Sequence, residues 1–477
     1  MLTAAVAQAG DIKPVPFTQV QITDNFWSQR LETLRSKTIR YAFQKCTDAG
    51  QIKNFEIAGK VLSGELRKGS AEARYQSGTT YDDAEVYKVI EGASYLLTVR
   101  EYKELESYID GIIDLIASAQ ESDGYLFTNW TIDNPLHDWM NGAKWTSDWN
   151  MSHETFDMGE LIEAGVAYYA ATGKDKLLNV ARRCADVMCE TFREGGLNEA
   201  PGHAVVEMAL VRLYEVTGDV KYLNECKYFL DTRGHHQGFD PNSSDPRVNG
   251  KYWQNHEKGV DQREAVGHAV RALFFYSGMA DWVRFSGDQE YQTAIDAIWD
   301  NINSKKLYIT GGLGALHNNE AFGENYELPN GSAYCETCAS IANCFFNLRM
   351  FRLHADGKYI DALERSLYNN VLDGLSVNGD SFYYVNPLEA TTRGNNREAW
   401  YGTSCCPTNL CRIIPSMPGY IYATDDRNLY VNLYTQSTAD IDFNGHSISL
   451  TQTTGYPWDG AISLSFEEAD AAAFNLK

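Results

Sequence analysis

"VVEMALVRLYEVTGDVKYLNECKYFL", residues 205–230, decides the fold. Apolar side chains recur at i, i+3 and i+4, a glycine interrupts at 218, and the same spacing resumes almost at once. Glycine takes left-handed backbone cheaply, so Gly218 reads as the stop of one helix immediately before the start of another. The same punctuation returns in "ATGKDKLL" (171–178), "FSGDQEYQ" (285–292) and "ADGKYIDA" (355–362), where Gly173, Gly287 and Gly357 take the equivalent place. A helix pair that repeats in this way is an internal structural unit.

Stacked helix pairs form either an open solenoid or a closed ring of inner and outer helices. The loops here are unequal and carry Trp, His, Gly and acidic residues, which favours a closed toroid with one functional end. Ahead of the repeat, "PVPFTQVQIT" (14–23) alternates like a strand. From about Asp380, "SFYYVNPLEA", "NLYVNLYTQSTADI", "HSISLTQTT" and "AISLSFEE" also read as strands. The predicted organisation is therefore mainly α with β. An N-terminal strand and a helical barrel occupy 13–378, and a β-sandwich that breaks off incomplete occupies 379–477, with 400–411 lending a loop to the active site. Residues 1–12 hold a small-residue run with Ala7 and Ala9, which reads as a signal-peptide remnant or as an ordinary frayed terminus. The remnant reading places the protein in the periplasm or outside the cell, and the alternative is the cytoplasm.

The 477 residues, 44% of them hydrophobic, suffice for a large core, and no apolar run is long enough to span a membrane. A formal charge of −23 without a basic patch argues against nucleic acid and anionic surfaces as partners. No feature of the chain reports an oligomeric state. Ten cysteines are too few for a disulfide scaffold of this length, and six of them cluster in 335–344 and 405–411. Cys46, Cys184, Cys189 and Cys226 lie in helical patterns and read as core thiols.

"YCETCAS" (334–340) sets Glu336 and Cys338 at the start of a helix, where both can aim at one point. "GTSCCPTN" (402–409) carries Cys405 and Cys406 ahead of Pro407, which predicts a tight loop able to converge two thiols. Together these give one oxygen and three sulfurs, a zinc-type donor set, although a closed structural zinc or simply buried thiols satisfy the same spacing. Cys335, Cys344 and Cys411 compete for ligand places and read as packing. Four protein ligands leave no position for an activated water, so a metal-bound cysteine thiolate would have to be the reactive group. Upstream, "GGLGALHNNEAFGENYELPN" (311–330) supplies His317, Glu320, Glu324 and Glu327 as titratable candidates for a general acid, or as a solvated acidic loop.

With "HNNEAF" (317–322), "YPWDG" (456–460), "DNFW" (24–27), "HETFDMGELIEAGVAYY" (153–169), "PGHAVVEMALVRLYEVTG" (201–218), "VGHAVRAL" (266–273) and "ALERSLYNNVL" (362–372), these motifs resemble glycoside hydrolase family 127 over nearly the whole chain. The resemblance implies an (α/α)6 barrel with β-sandwich modules and a retaining exo-glycosidase that releases terminal L-arabinofuranose-type residues. It makes Cys405 the nucleophile and Glu320 the acid/base. Glu336, Cys338, Cys405 and Cys406 become the zinc ligands, and the substrate a small carbohydrate or plant cell-wall glycan. By the same resemblance His153, His203, His268, Glu364 and Tyr384 line the sugar pocket. Trp145, with Trp149, offers an aromatic face or packs in the core, and Gln44 is a further sugar contact. Two departures stand out: "HETFDMGEL" replaces a His-Leu-Tyr-Cys-like run beside His153, and the sandwich is cut short. Two other functions remain compatible with the residues: a helical-toroid sugar epimerase using His203 and His268, and a carbohydrate-binding protein with a structural zinc.

Overall fold

The computed structural model describes residues 11–132, 143–236, 238–389, 396–467 and 474–477. The run containing Ala7 and Ala9 lies outside the described residues. Among them, six helices form a closed inner ring: α1 (Asp83–Val99), α2 (Glu154–Thr172), α3 (Val206–Thr217), α4 (Ala269–Ser286), α5 (Thr337–His354) and α6 (Cys405–Ile413). Each packs on the next, and α6 packs back on α1. In α4 every residue from Ala269 to Arg284 is buried, as befits a helix enclosed on all sides. Outer helices Lys103–Ser118, Lys176–Thr191, Val220–Thr232, Gln289–Asn301 and Gly357–Ser366 run back between the inner ones, and Ile39–Asp48 covers the seam between α6 and α1. At that seam the backbones nearly touch, because a Cβ on Gly92 would stand 1.9 Å from the Cys411 carbonyl oxygen.

Three of the four predicted glycine stops hold: Gly173, Gly218 and Gly287 are left-handed, with φ of 72°, 69° and 68°. The fourth does not. Ala355 takes the left-handed position at φ 56°, while the Asp356 side chain caps the next helix by accepting from the Lys358 backbone N–H, so Gly357 is already helical.

The β region also departs from expectation. The helical ring runs past 378 and is completed only by α6, so residues 381–389 form isolated bridges at its rim rather than sandwich strands. Regular strands begin at Tyr422. Two four-stranded sheets follow. One joins Lys13–Pro14, Tyr422–Thr424, Asn428–Val431 and Asn475–Leu476, and the other Val20–Ile22, Ser437–Phe443, His446–Thr454 and Ile462–Glu467. The single predicted N-terminal strand is thus broken by a 3-10 turn at Phe17–Gln19, and its halves enter different sheets. Along Ser437–Phe443 alternate residues are buried, the signature of a strand with one face on a core. No helix among the described residues is long and apolar enough to cross a membrane.

Candidate active site

The chain passes through every inner helix in the same direction, so six amino ends meet at one end of the ring. His153 and His268 stand at the N-cap positions of α2 and α4, His203 just before α3, Glu336 at the N-cap of α5, and Cys405 is the first residue of α6. Their side chains, with Tyr81, Glu320, Tyr384 and Asn409, line a cavity of ≈ 380 Å³. Unpaired N–H groups and the positive ends of six helix dipoles favour anions there.

Glu336, Cys338, Cys405 and Cys406 bring one ligand atom each to within 4.8 Å of one another. Cys338 Sγ lies 3.1 Å from Cys406 Sγ, and Glu336 Oε1 lies 3.6 Å from Cys406 Sγ and 3.8 Å from Cys405 Sγ. Tetrahedral zinc with ~2.3 Å bonds to sulfur separates its ligands by about 3.8 Å, so modest spreading of one sulfur pair would admit the ion. Glu336 Oε2 is buried without a partner, consistent with a donor reserved for a cation. These residues fit zinc.

The predicted loop at Cys405–Cys406 is instead the first turn of α6, with Pro407 as its third residue. A first-turn proline forfeits only an N–H that has no intrahelical acceptor, so it does not exclude helix. Successive helical residues diverge by about 100°. Cys405 accordingly faces the cavity, where its Sγ is 3.2 Å from the Tyr384 hydroxyl, while Cys406 is fully buried. The competing cysteines stand apart. Cys335 packs with Tyr308, Ala315 and Ala333, Cys344 points at the Leu363 carbonyl, and Cys411 is buried at the α1 seam.

Hydrogen bonds from the Cys338 and Cys406 thiols pull Cys405 well below the usual thiol range, and the buried Lys88 ammonium and the Tyr384 hydroxyl reinforce them against burial. Burial would raise Glu320, but His268, whose Nε2 donates to it at 2.7 Å, and Tyr334, whose hydroxyl donates at 2.8 Å, hold it at about 2. Burial lowers His268 despite Glu320, so the resting pair is a neutral imidazole donating to a carboxylate. His153 and His203 are likewise held neutral by burial and by the nearby Arg271. Asn319 and Glu320 both have left-handed backbone, φ 60° and 51°. This strain, on the order of 1–3 kcal/mol per residue, aims Glu320 into the cavity and is held by Arg247, which donates to Asn319 Oδ1 at 2.9 Å.

Of the residues expected to contact sugar, His153, His203, His268 and Tyr384 line the cavity. Three are elsewhere. Gln44 sits on a different face and bonds Asp48, Trp145 packs edge-on against Tyr125 and Phe192, and Glu364 on an outer helix pairs with Tyr456. Residue type marked these as polar or aromatic, but only the ring's closure decides which reach its open end. Trp149 stacks on His236 instead of the cavity. His317 lines the cavity beside Tyr334, whereas Glu327 caps its own loop by accepting from the Glu324 N–H. Sequence reasoning missed Tyr81, Arg271 and Tyr334, and also the fully buried Lys88, paired with Glu85 at 3.0 Å. Arg271 and Lys88 had a usable signal, a cation inside an otherwise apolar helical stripe.

Residues 19–419 match the family described as Beta-L-arabinofuranosidase, GH127 catalytic domain, and residues 428–477 match its GH127 middle domain. A non-reducing end beta-L-arabinofuranosidase of Bifidobacterium longum subsp. longum is 34% identical over 487 aligned positions, spanning 94% of this chain and 72% of its own length. A solved GH127 beta-arabinofuranosidase is 47% identical with a TM-score of 0.89, over 97% of this chain and 70% of that one. A solved GH127 beta-L-arabinofuranosidase of Geobacillus stearothermophilus T6 is 37% identical with a TM-score of 0.88, over 96% and 74% respectively. With the catalytic-domain match running from the Val20–Ile22 strand through the thiol-bearing α6, the chain belongs to glycoside hydrolase family 127, the β-L-arabinofuranosidase family.

Proposed function

We propose that this enzyme removes terminal β-L-arabinofuranose residues from glycans with retention of configuration, using Cys405 as nucleophile and Glu320 as acid/base. The observation that carries the reading is the flanking of Glu336. Its carboxylate clusters with the Cys405 sulfur on one side and with Glu320 and His268 on the other, each group within 4.8 Å, on the wall of a single cavity. The relatives' printed activities supply the sugar.

In the first step Cys405 Sγ forms a bond to the anomeric carbon as the bond to the leaving oxygen breaks, and Glu320 gives that oxygen a proton. In the second, Glu320 takes a proton from water, whose oxygen displaces the sulfur. Resting Glu320 is ionised, so the acid form is made by taking up a proton from solvent as substrate binds: a glycoside filling the cavity strips water from the carboxylate and raises its proton affinity. His153, His203 and His268 are neutral and suited to hydrogen-bond sugar hydroxyls. Zinc, held by Glu336, Cys338, Cys405 and Cys406, would keep the thiols ionised and make the sulfur a better leaving group.

The test uses a panel of aryl α- and β-arabinofuranosides. Turnover of the β-L compound, loss of that turnover in Cys405→Ser, and one zinc per chain by elemental analysis are expected. Full activity in Cys405→Ser removes the nucleophile assignment. Interconversion of free sugars without hydrolysis would instead favour an epimerase built on His203 and His268.

A further inference from the structure

We propose that Asn409 is a positioning residue for the sulfur cluster: locked by Arg412, it donates an N–H to Cys338 and so anchors that sulfur while Cys405 stays free to react. This rests on the zinc reading above. Asn409 lies one helical turn beyond Cys405 on α6, and its Nδ2 is 3.1 Å from Cys338 Sγ. An amide can present either end, but its neighbour decides. Arg412 Nε, 2.7 Å away, can only donate, so Oδ1 must face Arg412 and Nδ2 must face the sulfur. Arg412 in turn cannot rotate. Its Nη1 and Nη2 engage both oxygens of Glu160, at 2.5 and 3.0 Å, and Nη1 also reaches Glu91 at 3.1 Å. Arg412 and Glu160 are each 1% exposed and Asn409 4%, so water does not compete for these bonds.

The sulfurs are therefore unequal. Cys338 receives an N–H from a group fixed through two buried partners. Cys405 is touched by the hydroxyl of Tyr384, a side chain on the cavity wall that an incoming sugar also meets. A charge-assisted N–H···S bond lowers the energy of a thiolate and fixes its direction. A side chain fixed in this way would hold an ion independently of the sulfur that reacts.

The experiment measures zinc affinity of the full chain by competition with a chromophoric chelator, and the thiolate-to-metal absorption of the cobalt(II)-loaded protein. Asn409→Ala should weaken zinc binding by about 10–100-fold and alter the cobalt band. Asn409→Asp, which still accepts from Arg412 but turns an oxygen towards the sulfur, should weaken it at least as much; being isosteric, it carries the test if the alanine variant fails to fold. Gly218→Ala, far from the cluster, controls for stability alone and should leave affinity unchanged. Wild-type affinity and an unaltered band in the folded Asn409 variants overturn the inference alone. A wild-type chain that binds no metal overturns the zinc reading and the inference with it.

Discussion

The ring has two axial ends made from the same helices, and they hold opposite chemistry. At the amino ends, sulfurs, imidazoles and carboxylates face a cavity with pairing left incomplete, since Glu336 Oε2 has no partner and Asn319 and Glu320 sit on strained backbone. Towards the carboxyl ends, a cavity of ≈ 760 Å³ is lined by Arg212, Arg349, Arg352 and Arg412 with Glu91, Glu163, Glu215 and Asp281. There the cations are matched: Arg349 with Asp281 at 2.5 Å, Arg352 with Glu215 at 2.8 Å, Arg412 with Glu91 at 3.1 Å, and Arg212 with Glu163. Helix dipoles favour thiolates at their positive ends and guanidinium groups at their negative ends, although Arg247 and Arg271 also line the amino-end cavity. At the carboxyl end the four cations named all find a carboxylate, whereas at the amino end the Glu336 oxygen beside the sulfurs finds no cation.

The comparison breaks most sharply at the chemical end. Glu320→Gln should lower kcat on a β-L-arabinofuranoside with a poor leaving group by roughly 10²–10⁴-fold while leaving the urea midpoint unchanged; undiminished kcat would remove the acid/base role. At the carboxyl end, Arg412→Met strands the buried Glu160 carboxylate and should cost about 3–5 kcal/mol in urea unfolding. A loss below about 1 kcal/mol would show that the pairing there is solvent-softened.

Acid offers a finer probe. Burial opposes ionisation of Glu215, yet Arg352 and Arg284 hold it at about 2, below its unfolded-chain value near 4.3. Its stabilising contribution is therefore complete above that higher value and lost as pH falls towards the lower one. The wild-type urea midpoint should decline over that window, and Glu215→Gln should flatten the decline. Glu215 is partly exposed to its cavity, so water screens the effect. Smallest of all, Gly218→Ala at φ 69°, with no neighbour within 4 Å of the added Cβ, should cost about 1 kcal/mol and leave kcat untouched.

The toroid was legible because its signals are local. Helical spacing and left-handed stops occur within one repeat, and even the error at Gly357 moved a stop by only two residues. The clustering of Glu336 with Cys338, Cys405 and Cys406 was legible because those residue types are chemically distinctive. The sixth helix was obscured by its brevity and by Pro407, which disguised a first turn as a loop. Asn409 and Lys88 meet sulfurs more than 70 positions away, Cys338 for the first and Cys405 and Cys338 for the second, and no local pattern encodes that meeting. Gln44, Trp145 and Glu364 show the converse, since a suitable side chain placed away from the open end of the ring finds other partners there: Asp48, Tyr125 and Phe192, and Tyr456.

Gly92 allows α1 and α6 to meet backbone to backbone, and this joint has a consequence for biosynthesis. Cys405, the proposed nucleophile, sits on the final staff of the ring, so a nascent chain leaving the ribosome carries no assembled cluster until that staff docks. The cluster of Glu336, Cys338, Cys405 and Cys406 therefore forms only when the last inner helix has closed the ring on the first.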